Sequence, residues 1–261
     1  KHRTRLWNLS LPLRAGGSAS HLRGCAAALV MSWADVKVAL EAFARGEMVM
    51  VVDSSDRKDE ANIAFAADHA SAERMAFAIR NSAGIVFVVS DAERFEHFGL
   101  HPATHSSTAR FGSNAYISTT YLPGSSSGLS AADRATTARA LCNRSNRAEA
   151  FSKPGHMFPV AADLGGVLQR QGHTEAAYDL CRLSGRAPVA CLAELTNDDG
   201  SVLRRADALA FAQRHGILAI TVEQLVAHHK QHPDFPSPPN ADSAPSIRGL
   251  DLPSLDGSGF R

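Results

Sequence analysis

Hydrophobic and polar positions in the middle of the chain alternate between a helical and an extended period. Apolar residues recur at helical spacing in several segments, and short apolar or alternating runs stand between those segments. The predicted helices are 32–46, 71–84, 130–142, 174–185, 206–215 and 222–230. The predicted strands are 48–52, 85–89, 111–121, 189–195 and 217–221. Continuous apolar runs are typical of strands that helices cover on both faces, so the pattern predicts an α/β fold with a single mixed α+β domain over 32–230.

Serine, threonine and aspartate residues mark where these helices begin. Ser32 with Asp35, and Ser130 with Asp133, have the sequence pattern of a capping box. Thr174 is the predicted N-cap of the fourth helix, and glycines end several helices.

The composition places the chain among enzyme-sized globular proteins. It has 261 residues, 44% of them hydrophobic, and a formal net charge of +1. Such a chain lacks the basic excess that nucleic-acid binding usually requires, and no apolar run reaches the roughly 18–20 residues of a membrane span. The 4 cysteines form no C-x-x-C pair, which argues against a disulfide scaffold and a structural zinc site. We expect a cytoplasmic protein that binds neither nucleic acid nor membrane.

Both ends of the chain differ from its middle. Residues 1–31 carry several arginines and no acid around a Gly/Ser/Ala-rich centre, a composition similar to that of a transit peptide. We interpret them as a disordered leader or upstream extension. Residues 231–261 contain 6 of the 12 prolines, mixed with Ser, Asp and Gly, which predicts a disordered tail.

Charged residues stand at the ends of two predicted strands. Residues 53–62 read Asp-Ser-Ser-Asp-Arg-Lys-Asp-Glu-Ala-Asn and leave a strand end, where α/β proteins commonly bind ligands. An ordinary solvated loop is the alternative. Glu194, near the end of strand 189–195, is a candidate buried carboxylate for proton transfer, or a structural partner of an arginine.

Glycine, proline and histidine concentrate in two later segments. His156 stands in 153–159 between prolines, which makes it either an acid–base candidate or a structural histidine. In 165–175, glycines and Arg170 precede a helix start, as in phosphate sites, and His173 could bind a metal. A glycine-rich loop shaped only by its turns is the alternative. The hydroxyls of 125–130 could likewise receive an anion or serve only as N-caps.

Four motifs, taken in order, closely resemble 3,4-dihydroxy-2-butanone 4-phosphate synthase of riboflavin biosynthesis. They are Ser-Gly-Leu-Ser-Ala-Ala-Asp-Arg (127–134), Pro-Gly-His-Met-Phe-Pro (154–159), Gly-Gly-Val-Leu-Gln-Arg-Gln-Gly-His-Thr-Glu-Ala (165–176) and Glu-Leu-Thr-Asn-Asp-Asp-Gly (194–200). The likeness runs from about Trp33 to His229.

The resemblance implies a homodimeric lyase with sites near the subunit interface. Members convert D-ribulose 5-phosphate to 3,4-dihydroxy-2-butanone 4-phosphate and formate with Mg²⁺ or Mn²⁺, which stabilises enediolate charge. It implies His156, Glu194 and Glu60 as catalytic residues and His173 as a metal ligand. The implied substrate-binding residues are Arg57, Lys58, Asn62, Ser127, Arg170, Gln171, Gly172, His173, Thr174 and Glu194.

The charged loop departs from the family's pattern. The family reads Asp-Arg-Glu-Asn-Glu-Gly-Asp where residues 56–62 read Asp-Arg-Lys-Asp-Glu-Ala-Asn. Lys58 therefore replaces a metal-binding glutamate and Asn62 a substrate-binding aspartate. A protonated ammonium has no lone pair for a cation and repels it, which counts against the ordinary Mg²⁺ or Mn²⁺ site. Phe87 stands where family members often carry cysteine.

Two classes of function follow from this departure. The first is an active lyase of the family, acting on ribulose 5-phosphate or, with altered chemistry, on another sugar phosphate. The second is a catalytically inactive homologue that serves as a binding or dimer-partner subunit.

Overall fold

The computed structural model describes residues 32–54, 56–104, 106–110 and 112–232. The predictions for the leader, 1–31, and for the tail from residue 233 fall outside these residues. Gln231, predicted as the first residue of the tail, is instead the last residue of a helix. Every helix in the described ranges is too short or too polar to span a bilayer.

Helices and strands alternate along the described residues, which confirms the predicted mixed α/β domain. The helices are α1 (Val36–Ala44), α2 (Ala72–Arg80), α3 (Ala92–His97), α4 (Ala131–Cys142), α5 (Gly166–Gln169), α6 (His173–Leu183), α7 (Arg205–His215) and α8 (Val222–Gln231). The strands are β1 (Val49–Val52), β2 (Ala61–Ala66), β3 (Phe87–Ser90), β4 (Asn114–Ala115), β5 (Thr119–Tyr121), β6 (Phe151–Ala161), β7 (Ala190–Glu194) and β8 (Leu218–Thr221).

The sequence pattern missed two strands, β2 and β6, and two short helices, α3 and α5. β2 is rich in alanine, and β6 contains Lys-Pro-Gly and a second proline. Neither composition is typical of strands, because alanine, lysine, glycine and proline pair and pack poorly in sheets. Helix α3 has only 6 residues and α5 only 4, too few to show a helical period.

The strands form one sheet in the order β4-β6-β3-β7-β2-β1-β8, with β5 also paired to β6. The pairs β1–β8 and β3–β6 are parallel, and β2 pairs with both β1 and β7 in antiparallel fashion. The register places Asn62 of β2 opposite Glu194 of β7, and Phe87 of β3 opposite Leu192 of β7.

Alternate residues of the central strands enter two separate hydrophobic cores. Met50, Ile63 and Ala193 belong to the core that includes residues of α2, α4 and α7. Val51 and Leu192 belong to the core that includes residues of α1, α6 and α8. Since side chains alternate across a strand, the side chains of the residues at even positions 62, 192 and 194 share the face that α6 covers.

Three predicted helix caps differ in detail from the structure. Asp35, not Ser32, is the N-cap of α1, and its Oδ1 accepts from the Lys37 N–H (2.8 Å). Ser130 caps α4, but the Asp133 carboxylate turns away from it toward the preceding loop. Thr174 lies inside the first turn of α6, whose N-cap is Gly172.

Candidate active site

The loop between β1 and β2 is folded around one buried carboxylate. Asp53 has no solvent exposure; its Oδ1 accepts from the Glu60 N–H (2.9 Å) and its Oδ2 from Arg57 Nη1 (2.8 Å). Asp59 adopts a positive φ of 57°, which aspartate tolerates better than most residues. These internal bonds hold the described residues of the loop in place.

The ammonium of Lys58 lies between two carboxylates. Lys58 Nζ is 3.2 Å from Glu194 Oε1 and 3.3 Å from Glu60 Oε2. Arg204 holds the same loop, since its Nη1 donates to the Lys58 carbonyl (2.5 Å) and lies 3.7 Å from Glu60 Oε1. The prediction that Glu194 is buried is wrong, because its side chain is 43% exposed, and its ion-pair partner is a lysine rather than an arginine.

His173 opens α6 and faces the base of this loop. Its Nε2 lies 3.1 Å from the Glu60 carbonyl and its Nδ1 lies 3.9 Å from Asp53 Oδ2. Burial lowers the pKa of His173 to about 4, against the opposing effect of the Asp53 carboxylate. The ring is therefore neutral near pH 7, with protein groups close to both nitrogens.

Arg170 is oriented by a buried glutamate just before α6. Its Nη1 pairs with Glu175 Oε2, and Glu175 Oε1 accepts from the Asp163 N–H (3.1 Å). A Cβ at Gly172 would lie 2.7 Å from Glu175 Oε2 and 2.8 Å from Arg170 Nη1, so a larger residue here would displace this ion pair. The Gly172 N–H donates to the Arg170 carbonyl (2.8 Å), which shapes the turn.

These groups surround a cavity of about 150 Å³ beside the N-terminus of α6. The lining residues are Arg57, Lys58, Asn62, Phe87, Ser113, Ala115, Val160, Arg170, His173, Thr174, Leu192 and Glu194. Seven of them are predicted substrate-binding residues. Glu60 reaches the cavity only through its contact with Lys58, while Gln171 and Gly172 are absent from the lining. The sequence pattern did not indicate the small and apolar residues of the lining. Strand register places such residues on one face of the sheet, and register is not visible in the sequence.

Two predicted site residues lie elsewhere on the chain. His156 and Ser127 do not line this cavity; they flank Gly128, where a Cβ would lie 3.0 Å from His156 Nδ1. The Asp133 carboxylate holds this second cluster by accepting from the Gly128 N–H (3.1 Å) and the Ser126 hydroxyl (2.7 Å). His156 Nδ1 is buried and has no hydrogen-bond partner.

The donor set beside Lys58 does not fit a divalent cation. Within the described ranges, no three His, Cys, Asp or Glu side chains converge as a metal site would need. Lys58 Nζ occupies the point where Glu60 and Glu194 come together, and His173 Nε2 lies against a backbone carbonyl.

Comparison with known proteins finds relatives that all carry the same enzyme name. The family model for 3,4-dihydroxy-2-butanone 4-phosphate synthase matches residues 37–228. The synthase of Agrobacterium fabrum is 42% identical over 200 residues, covering 77% of this chain and 94% of that protein. The synthase of Klebsiella pneumoniae is 40% identical over 197 residues, covering 76% of this chain and 91% of that protein.

Solved structures of 3,4-dihydroxy-2-butanone 4-phosphate synthases share the fold of this chain. A crystal structure of the synthase with two magnesium ions matches with a TM-score of 0.73 and 32% identity, covering 78% of this chain and all of that one. The Candida albicans enzyme matches with a TM-score of 0.70 and 37% identity, covering 75% and 97%. The divalent cation that the resemblance implies is thus present in a solved relative of this chain. This chain belongs to the 3,4-dihydroxy-2-butanone 4-phosphate synthase family.

Proposed function

We propose that this chain is a lyase that converts D-ribulose 5-phosphate to 3,4-dihydroxy-2-butanone 4-phosphate and formate in riboflavin biosynthesis. The observation that carries the proposal is the cavity beside α6, whose lining includes the bases Arg57, Lys58 and Arg170 and the carboxylate of Glu194. Positive groups suit a phosphate and an enediolate, and a carboxylate suits proton transfer at carbon.

The phosphate is assigned to the start of α6. The first turn of a helix presents backbone N–H groups and the positive end of its dipole. The Thr174 hydroxyl and the Arg170 guanidinium line the cavity at this point, and Glu175 fixes the direction of Arg170. A guanidinium that is already oriented loses little entropy when it binds a phosphate.

The reacting end of the sugar is assigned to the opposite side of the cavity. Glu194 would accept and return protons during enolisation and dehydration. Glu60 contacts Lys58 but does not line the cavity, so it would hold that ammonium in place. Lys58, between them, would stabilise the negative oxygen of the enediolate. Asn62 Oδ1 is buried without a partner and would accept a hydrogen bond from a sugar hydroxyl.

His156 and Ser127 would act from a second copy of the chain. Both lie outside the cavity that their assigned roles require, so a homodimer with sites at its interface would bring them to it. Exposed apolar residues stand beside the second cluster: Leu129 is 54% exposed and Phe158 is 37% exposed. A partner subunit would remove this apolar surface from water.

We assign the protein to the cytoplasm, on the state of its described cysteines. Cys142, Cys181 and Cys191 are free and buried. Burial raises the pKa of all three thiols, which keeps them protonated and inert. Free thiols of this kind are typical of proteins in reducing compartments.

A formate-release assay on ribulose 5-phosphate tests the lyase assignment. We expect the native chain to release formate, and Glu194→Gln to lose at least about a hundredfold in rate because a general acid–base is removed. Glu41→Gln, on the exposed side of α1, is the matched control. Native protein that binds ribulose 5-phosphate but releases no formate would instead be a binding subunit.

A further inference from the structure

The position of Lys58 is that of a bound cation rather than of a surface lysine. Its Nζ is within 3.3 Å of one oxygen from each of Glu60 and Glu194, and its side chain is 21% exposed. Carboxylate oxygens that converge from a loop and a strand end are the usual ligands of a divalent metal. Here the chain's own ammonium takes that place.

The loop is built to hold the ammonium there. Arg204 donates to the Lys58 carbonyl (2.5 Å), and the Arg205 N–H donates to the carbonyl of Asp59 (3.3 Å). Asp53 closes the loop from the other side through the Glu60 N–H (2.9 Å). Bonds on both sides of the lysine fix the backbone from which its side chain reaches the two carboxylates.

The charges at positions 58 and 62 also argue against a bound divalent cation. In the family's pattern, positions 58 and 62 carry a glutamate and an aspartate, which together carry two negative charges before any cation binds. In this chain they carry Lys58 and Asn62, which sum to +1 with no ion bound. The two replacements therefore remove the negative charge that would attract a divalent cation to these positions.

We propose that the Lys58 ammonium is a tethered substitute for the divalent cation, so that this site excludes Mg²⁺ and Mn²⁺ and receives its ligand without them. The naming of ribulose 5-phosphate as that ligand rests on the proposed function; the exclusion of metal does not.

The experiment measures metal and sugar binding separately on the full chain. Mn²⁺ binding is followed by electron paramagnetic resonance for the native protein, Lys58→Glu, the double variant Lys58→Glu/Asn62→Asp, and Lys37→Glu as an exposed control on α1. Ribulose 5-phosphate binding is followed by the shift in melting temperature, with EDTA and with Mg²⁺.

We expect native protein and Lys37→Glu to bind Mn²⁺ at the site at least roughly 100-fold more weakly than the double variant does. We expect the native melting temperature to rise equally with ribulose 5-phosphate in EDTA and in Mg²⁺. Native protein that binds Mn²⁺ with the double variant's affinity overturns the proposal. If no Lys58 variant folds, Mn²⁺ that is bound by the native protein and lost in Glu194→Gln overturns it instead.

The sugar arm separates this proposal from the proposed function. A melting-temperature rise that requires Mg²⁺ overturns the role of Lys58 and leaves the lyase assignment standing. If ribulose 5-phosphate produces no rise in either condition, the lyase assignment fails, whereas Mn²⁺ binding gained only by the Lys58 variants still supports the exclusion of metal.

Discussion

The carboxylate of Asp179 closes over Gly166 and leaves no space for a side chain there. A Cβ on Gly166 would lie 2.2 Å from Asp179 Oδ2, and the φ of this glycine is +59°. Asp179 is fully buried in α6 and accepts from the Val167 N–H (2.8 Å) and from His229 Nε2 (3.0 Å). This contact fixes the segment that leads to Arg170 and the N-terminus of α6.

Replacing Gly166 by alanine should therefore destabilise the fold strongly. We expect Gly166→Ala to lower the free energy of unfolding by about 3 kcal/mol, because it adds a clash with a buried carboxylate to an unfavourable φ. Gly185→Ala is the control, since Gly185 has a φ of +69° but no atom within 4 Å of its would-be Cβ. It should cost about 1 kcal/mol. Equal losses in urea unfolding would contradict the role of Asp179.

Asp53 should matter for both stability and the site. Asp53→Ala leaves the Arg57 guanidinium and the Glu60 N–H without their buried acceptor, which should cost about 2–4 kcal/mol in urea unfolding. The loop that carries Lys58 would loosen, and formate release should fall at least about tenfold. Asp198→Ala, at an exposed turn, is the control and should change neither quantity. A stable Asp53→Ala protein with native activity would show that the loop is held by other contacts.

Two inactive variants should restore activity to each other if His156 acts across a dimer interface. In a mixture of His156→Ala and Glu194→Ala chains, half of the dimers are mixed, and each mixed dimer contains one intact site. We expect about a quarter of the native rate of formate release after mixing and re-equilibration. Each variant alone, at the same total concentration, is the control. No recovery, with mixed dimers detected by mass spectrometry, would place His156 in the site of its own chain.

His69 should make stability depend on pH. Burial, reinforced by the Arg186 guanidinium, lowers the pKa of His69 from 6.5, and its Nε2 is buried without a partner. The folded state thus binds fewer protons than the unfolded chain below pH 6.5, so this residue's contribution to stability is lost as the pH falls through that value.

The measurement is urea unfolding at about pH 7.5 and about pH 5.5. The native protein should lose more stability between these values than His69→Gln, in which the titrating group is absent. His101→Gln, at an exposed position, should behave like the native protein. A loss as large in His69→Gln as in the native protein would assign the pH dependence to other groups.

The charged loop and the start of α6 could be predicted because their chemistry lies in consecutive residues. A strand that ends in acids and bases, and a glycine-rich turn before a helix, are visible without a fold. The Lys58–Glu194 ion pair could not be predicted in this way, since it joins residues 136 positions apart. It depends on the register of β2 against β7, and β2 was itself missed because its alanines carry little β-propensity.

The exposure of Glu194 could not be predicted for a related reason. An apolar strand suggests burial of every side chain in it, but the last residue of β7 emerges at the rim of the sheet. His156 is likewise separated from the cavity by its position along β6, and no local sequence pattern indicates that position. The resemblance assigns His156 and Glu194 to one reaction, but no spacing in the sequence places the two residues together.

The two hydrophobic cores, one on each face of the sheet, limit which sequence changes the loop at 53–60 can accept. Asn62 faces the cavity opposite Glu194, while the next residue, Ile63, belongs to the core on the other side of the sheet. If a one-residue insertion in the loop slipped β2 by one position, Ile63 would turn toward the cavity and the polar amide into the apolar core. Residue identities in this loop can therefore be exchanged, even from acid to base, whereas its length is held constant by the sheet beneath it.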